Sequence, residues 1–187
     1  MSVRFVTGNE GKVREAREYL QEPVEQVEYD YVEVQADDLA EIATRGARET
    51  FDALGDDEPV VVEDSGLFVD ALDGFPGPYS AYVEHTLGIE RVHRLVEPED
   101  DPRARFRSVV AYADANTTET FEGAVRGRIV SPRGDGGFGY DPIFEHDGTT
   151  FAEMCTAEKN AVSHRGRALA KLADWLADDP AERKGPR

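Results

Sequence analysis

The chain is poor in cysteine, lysine and long apolar runs, and each shortage excludes something. Its one cysteine, Cys155, allows no disulfide within the chain, so stability must come from packing and polar contacts. That usage fits a reducing compartment, and a cytoplasmic location is expected. No apolar run approaches the roughly 20 residues a membrane helix needs. Met1 to Val6 reads as the start of a strand and not as a signal peptide, so no membrane partner is expected. Lysine occurs only at positions 12, 159, 171 and 184, and 39 acidic residues face 21 basic ones, for a net charge of -18. Such a surface opposes non-specific binding to nucleic acid, which requires basic groups to displace counterions. Acid-rich, lysine-poor surfaces suit molar salt, where screening removes most self-repulsion, and a halophilic source is expected. The competing explanation is an ordinary acidic protein from a GC-rich genome.

With 187 residues and 40% apolar composition, the chain has enough material for one substantial core and too little for two. A single domain over 1–180 is expected, followed by a frayed tail at 181–187. Val3 to Thr7 reads as a strand, Gly8 to Gly11 as a turn, and Lys12 to Leu20 as an amphipathic helix. Alternation at Val27, Tyr29 and Tyr31 predicts a half-exposed strand reaching Val34. Leu39, Ile42, Ala43, Ala47, Phe51 and Leu54 form the apolar stripe of a helix over 38–54. Pro59 to Val62 is β-branched and predicts a buried strand, Ser65-Gly66 a turn, and Leu67 to Leu72 a further strand. Short helices are expected at 80–86 and 89–96, a long hairpin from 103–113 and 120–130, a Gly-rich loop at 131–141, and a last helix over 163–177.

Four segments bear on chemistry. Glu63 and Asp64 follow a buried strand, where ionised acids are costly unless paired, metal-bound or solvated. The turn Thr7-Gly8-Asn9-Glu10-Gly11-Lys12 joins a strand to a helix and suits an anion through its amides, the helix dipole and Lys12, although it also reads as a plain connection. It lacks Walker A spacing. Gly134-Asp135-Gly136-Gly137-Phe138-Gly139 formally matches the dinucleotide fingerprint, but Tyr140-Asp141-Pro142 after it does not open a helix. What remains is a loop presenting Phe138 and Tyr140 to sandwich a base and Asp141 to hydrogen-bond it, or else aromatics packed under a loop. In Lys159-Asn160-Ala161-Val162-Ser163-His164-Arg165, Ser163 is an N-cap. The cations after it, His164 and Arg165, oppose the helix dipole unless an anion compensates, as a phosphate held by Arg165 and Lys159 would; otherwise they are a pair of exposed basic residues.

Together these segments resemble the inosine triphosphate pyrophosphatase family, nearest its archaeal and eukaryotic branch. Glu63-Asp64-Ser65-Gly66-Leu67 and Gly74-Phe75-Pro76-Gly77-Pro78-Tyr79-Ser80 carry the resemblance together with the loops above. The resemblance implies an elongated α/β fold, a mixed sheet with flanking helices in two lobes around a central active-site cleft. It implies Mg²⁺-dependent hydrolysis of ITP, dITP and XTP to the monophosphate and pyrophosphate, and a homodimer. By resemblance Thr7, Gly8, Asn9, Glu10, Gly11, Lys12 and Lys159 hold the triphosphate, and Ser65 contacts it. Phe138, Gly139, Tyr140, Asp141, His164 and Arg165 recognise the nucleotide. Asp64 is then the metal ligand and proton acceptor, with Glu63 beside it, and Glu33 is a second metal ligand. An inactive nucleotide-binding sensor and a phosphatase releasing orthophosphate are the alternatives. The chain departs from many relatives in lacking a Lys at Gly46-Ala47-Arg48 and a basic residue at Ala81.

Overall fold

A computed structural model describes residues 2–32, 34–55 and 58–178. Glu33 and the expected tail at 181–187 therefore lie outside the described residues. The chain runs β1 (Val3–Val6), α1 (Glu10–Tyr19), β2 (Val24–Val27), α2 (Leu39–Leu54), β3 (Val60–Val69), β4 (Pro76–Gly77), α3 (Ser80–Thr86) and α4 (Ile89–Val96). It continues with β5 (Arg103–Ala113), β6 (Thr118–Ile129), β7 (Phe144–His146), β8 (Thr149–Thr150), α5 (Thr156–Val162) and α6 (His164–Ala177). All strands belong to one sheet of order β2-β1-β3-β5-β6-β7-β8, with β4 on the edge of β3. β2, β1 and β3 are parallel, as their helical crossovers require, and the rest is antiparallel.

At one end the sheet is covered on both faces. Phe5, Val61, Val110 and Tyr112 pack against α1 and α6, while Val60, Val62, Val109 and Ala111 pack against Leu39, Ala43 and Ala47 of α2. At the other end Leu67, Val69, Val125 and Ile129 pack with Val83, Val92, Phe144 and Phe151. The expected two lobes are thus two core regions threaded by the same long strands, β3, β5 and β6.

Four elements differ from expectation. Ser65-Gly66 is no turn: β3 runs straight through it, paired residue for residue with β5 from Val60↔Ala113 to Val69↔Ala104. Gly66 is needed because the Gly77 carbonyl presses where its Cβ would lie. The strand expected over 67–72 ends at Val69, and a 3-10 turn takes Asp70–Leu72. The strand expected to reach Val34 is β2, ending at Val27, because β1 offers it only four partners. Tyr29 and Tyr31 instead pack on the α2 core, with Tyr31 lying over Gly46. Finally, the Lys159 segment forms its own helix, α5, and Ser163 ends α5 while capping α6.

Candidate active site

β1 stops at Val6, opposite Val62, and β4 ends at Gly77, opposite Leu67, so neither strand pairs with Glu63, Asp64, Ser65 or Gly66 on that edge of β3. Side chains alternate along a strand. Glu63 and Ser65 therefore face α1 and α6, with Val110 and Ser108 opposite them on β5. Asp64 faces the α2 side, opposite Val109. A ligand lying across this notch meets both faces.

The Ser65 side opens into a cleft of about 360 Å³, a volume suited to a small ligand. Asn9, Gly11, Lys12, Ser65, Phe138, Gly139, Tyr140, Asp141, Lys159, His164 and Arg165 line it, so eleven residues scattered over the sequence converge there. Thr7, Gly8 and Glu10 do not line it. Glu63 lies beneath its floor and Asp64 on the far face of β3. Arg14, Glu15, Ser80, Glu84, Phe106 and Asn160 are among the other residues of the wall.

Beneath the floor is a buried ionic cluster. Glu63, with no exposed side-chain surface, lies 2.7 Å from Lys12 Nζ and 3.1 Å from Arg165 Nε, and it accepts a 2.6 Å hydrogen bond from Ser108. Burial alone would raise its pKa, but Arg165 and Lys12 outweigh this and hold the carboxyl well below the usual range. Such a carboxylate is a poor base, and the structure gives Glu63, expected beside Asp64 in the chemistry, the surroundings of a buried counter-ion. It fixes two cations instead. Arg165 also donates to Glu15 at 3.0 Å, and Ser163 donates to Glu15 at 2.7 Å. The anion that offsets Arg165 at the α6 N-terminus is thus built into the chain. Glu15 carried no motif signal.

The first loop departs from expectation in the same way. Asn9 Oδ1 accepts from the amides of Gly11 at 2.8 Å and Lys12 at 3.3 Å, so these caps of α1 are occupied from within. Lys12, whose ammonium reaches Glu63, is the charged group of that loop at the cleft. Tyr140, expected to sandwich a base, is buried and donates its hydroxyl to the Ser80 carbonyl at 2.8 Å, tying the loop to α3. Phe138 is the exposed ring at 66% relative exposure, with Lys159 Nζ 4.3 Å from its centroid. Asp141 accepts from Lys159 at 2.5 Å and from the Phe138 amide at 2.8 Å, and so shapes the loop.

His164 is buried in ring contact with Phe106, centroids 5.0 Å apart and 12° from parallel. Its Nδ1 has no hydrogen-bond partner among the described residues, although it borders the cleft. Burial, reinforced by Arg165, lowers its pKa from 6.5 to about 3, so the ring is neutral and poses no conflict with the helix dipole. On unfolding the imidazole regains its ordinary pKa and takes up protons below pH 6.5. This contribution therefore vanishes as pH falls from 6.5 towards 3. Acidification from pH 6.5 to 5 is expected to cost roughly 2 kcal/mol through this group. Denaturant titrations at both pH values should show the His164→Gln variant losing less stability than the wild type by about that amount.

Asp64 is half-buried, and its Oδ1 accepts from the Ser65 amide at 2.9 Å. No group of three or more His, Cys, Asp or Glu able to hold a metal occurs among the described residues. At Gly46, in the segment where the resemblance leads one to expect a Lys, a Cβ would stand 2.7 Å from the Tyr31 ring, so that space is filled.

The class defined by this fold and site is a mixed α/β protein with a cation-lined, ligand-sized cleft at a gap in its sheet. A family model described as the Ham1 family matches residues 3–175, and the chain belongs to that family. It is 50% identical over 190 residues to a dITP/XTP pyrophosphatase of Methanopyrus kandleri, covering 98% of this chain and 100% of that protein. It is also 50% identical over 186 residues to a dITP/XTP pyrophosphatase of Thermococcus kodakarensis, covering 96% and 99%. Among solved structures, a HAM1 protein from Coxiella burnetii superposes with a TM-score of 0.85 at 30% identity, covering 96% of this chain and 100% of that one.

Proposed function

We propose that this chain hydrolyses abnormal purine nucleoside triphosphates, ITP, dITP and XTP, to the monophosphate and pyrophosphate. The observation that carries this is near-complete, 50% identity to two dITP/XTP pyrophosphatases, with the cationic motifs converging on one cleft. Release of pyrophosphate from ITP, with ATP turned over far more slowly, is the expected assay result. Orthophosphate as product would favour a phosphatase, and no product would favour a sensor.

In this reading Lys12 and Lys159 neutralise the triphosphate, Phe138 stacks on the base, and the buried Nδ1 of His164 hydrogen-bonds the nucleotide. Glu63, Glu15 and Ser108 hold Lys12 and Arg165 in place. Asp64 accepts the proton of the attacking water, since it is the half-buried carboxylate of the notch and Glu63 is committed to cations. A divalent cation, Mg²⁺, fits the donor chemistry. It commonly uses one or two carboxylates and completes its shell with substrate phosphates and water, so Asp64, joined by Glu33, suffices without a dedicated cluster. When bound, it would neutralise phosphate charge.

No helix of the described residues is long and apolar enough to cross a membrane. Cytoplasmic location, a homodimer and a high-salt habitat belong to the same proposal, supported by the composition and the resemblance.

A further inference from the structure

Three cations of the cleft, Lys12, Lys159 and Arg165, are each held by a buried carboxylate. Lys12 is paired with Glu63, Lys159 with Asp141, and Arg165 with Glu15 and Glu63, and the three acids have at most 9% of their side-chain surface exposed. They tune the site's shape, but much of their charge is answered before a triphosphate arrives.

On the other side of the notch, Asp64 shares its face of β3 with Gly66 and Phe68. The β5 residues on that face include Val109, opposite Asp64, Arg107, opposite Gly66, and Arg105, opposite Phe68 and paired with Asp70. Gly66 puts no side chain between Asp64 and the Arg107 guanidinium, and the polar Gly77 carbonyl stands where its Cβ would lie. Diagonal neighbours on adjacent strands are about 7–8 Å apart, within an arginine's reach. The guanidinium lies 4.8 Å over the Phe68 ring. It makes a two-bond pair with Glu122, Nε to Oε1 at 2.7 Å and Nη2 to Oε2 at 3.1 Å. Asp38, the N-cap of α2, adds an electrostatic pull. Unlike the acids of the cleft, Glu122 is 47% exposed, so water can solvate its carboxylate once the pair opens. A phosphate can therefore displace it. Arg's planar fork matches two phosphate oxygens, and Phe68 fixes its plane.

We propose that Arg107 is a substrate-phosphate residue, exchanging Glu122 for the β- and γ-phosphates that leave as pyrophosphate, on the face of β3 where Asp64 acts. This rests on the placement of the triphosphate across the notch, and it adds a cation that no motif of the chain assigns.

The test compares Arg107→Gln with Glu122→Gln, because both break the same ion pair. Pyrophosphate binding is measured by calorimetry with Mg²⁺, and the KM for ITP and inhibition by the monophosphate are measured alongside. Arg107→Gln is expected to weaken pyrophosphate binding and raise KM by about tenfold or more, with monophosphate inhibition changed less than about twofold. Glu122→Gln should leave both constants unchanged or tighten them, and Arg107→Lys should fall between. Equal effects of Arg107→Gln and Glu122→Gln would show a merely structural pair and overturn the proposal, as would unchanged pyrophosphate binding in Arg107→Gln. If Arg107→Gln does not fold, Arg107→Lys against Glu122→Gln decides in the same way. Because binding is read without turnover, loss of the Asp64 assignment and loss of the Arg107 assignment are distinguishable.

Discussion

Replacing Asp64 with Asn is expected to lower turnover of ITP by roughly a hundredfold or more, the usual contribution of a positioned proton acceptor. The expectation comes from competition between two adjacent acids. Glu63 is fully buried, contacts two cations and a hydroxyl, and has its proton affinity suppressed. Asp64, one residue on, faces the opposite side of β3 and is half-buried, with one oxygen held by the Ser65 amide. Asn preserves the shape and can still accept that amide, so the fold should survive. Pyrophosphate release under saturating substrate is the readout, and a variant within about threefold of wild type would remove Asp64 from the chemistry.

Glu63→Gln should act chiefly on stability. Removing the central anion of a buried cluster leaves Lys12 and Arg165 without their shared counter-charge, a loss of about 3–5 kcal/mol for comparable buried pairs. That is a large part of the stability of a domain this size. The sign with pH follows from the depressed pKa. The stabilisation is fully present above the ordinary value of 4.5 and is lost as pH falls below it, so the gap between wild type and Glu63→Gln should narrow in acid. Urea unfolding at pH 7 and pH 4 measures both. A midpoint for Glu63→Gln equal to wild type at pH 7 would mean the cluster is not what holds α1, β3 and α6 together.

Much of this site was readable in the sequence because its residues sit in local patterns. The β5–β6 hairpin, the α2 stripe and the Ser163 cap are local signals, and each is found close to where periodicity or capping chemistry places it. What failed depended on partners distant in sequence. Ser65-Gly66 has turn composition, yet β5 supplies a full row of hydrogen bonds and Gly66 serves the close approach of Gly77. The unfavourable placement of Arg165 called for a compensating anion, expected to be a bound phosphate, and the chain itself supplies one. Its identity, Glu15 at 150 residues' separation, was not legible because an exposed-looking Glu on a charged helix carries no mark. Tyr140 looked like Phe138 in sequence and separates from it only through the Ser80 carbonyl that its hydroxyl finds. Arg107 was hidden for a related reason: it stands in an alternating strand where arginine reads as solvated surface.

The central claim is that the notch in β3 directs water onto the α-phosphorus, with pyrophosphate as the leaving group. Hydrolysis of ITP in ¹⁸O-labelled water tests it most directly, by locating the label in the products. The account predicts one labelled oxygen in the inosine monophosphate and none in the pyrophosphate. Label in the pyrophosphate, or in released orthophosphate, would contradict it.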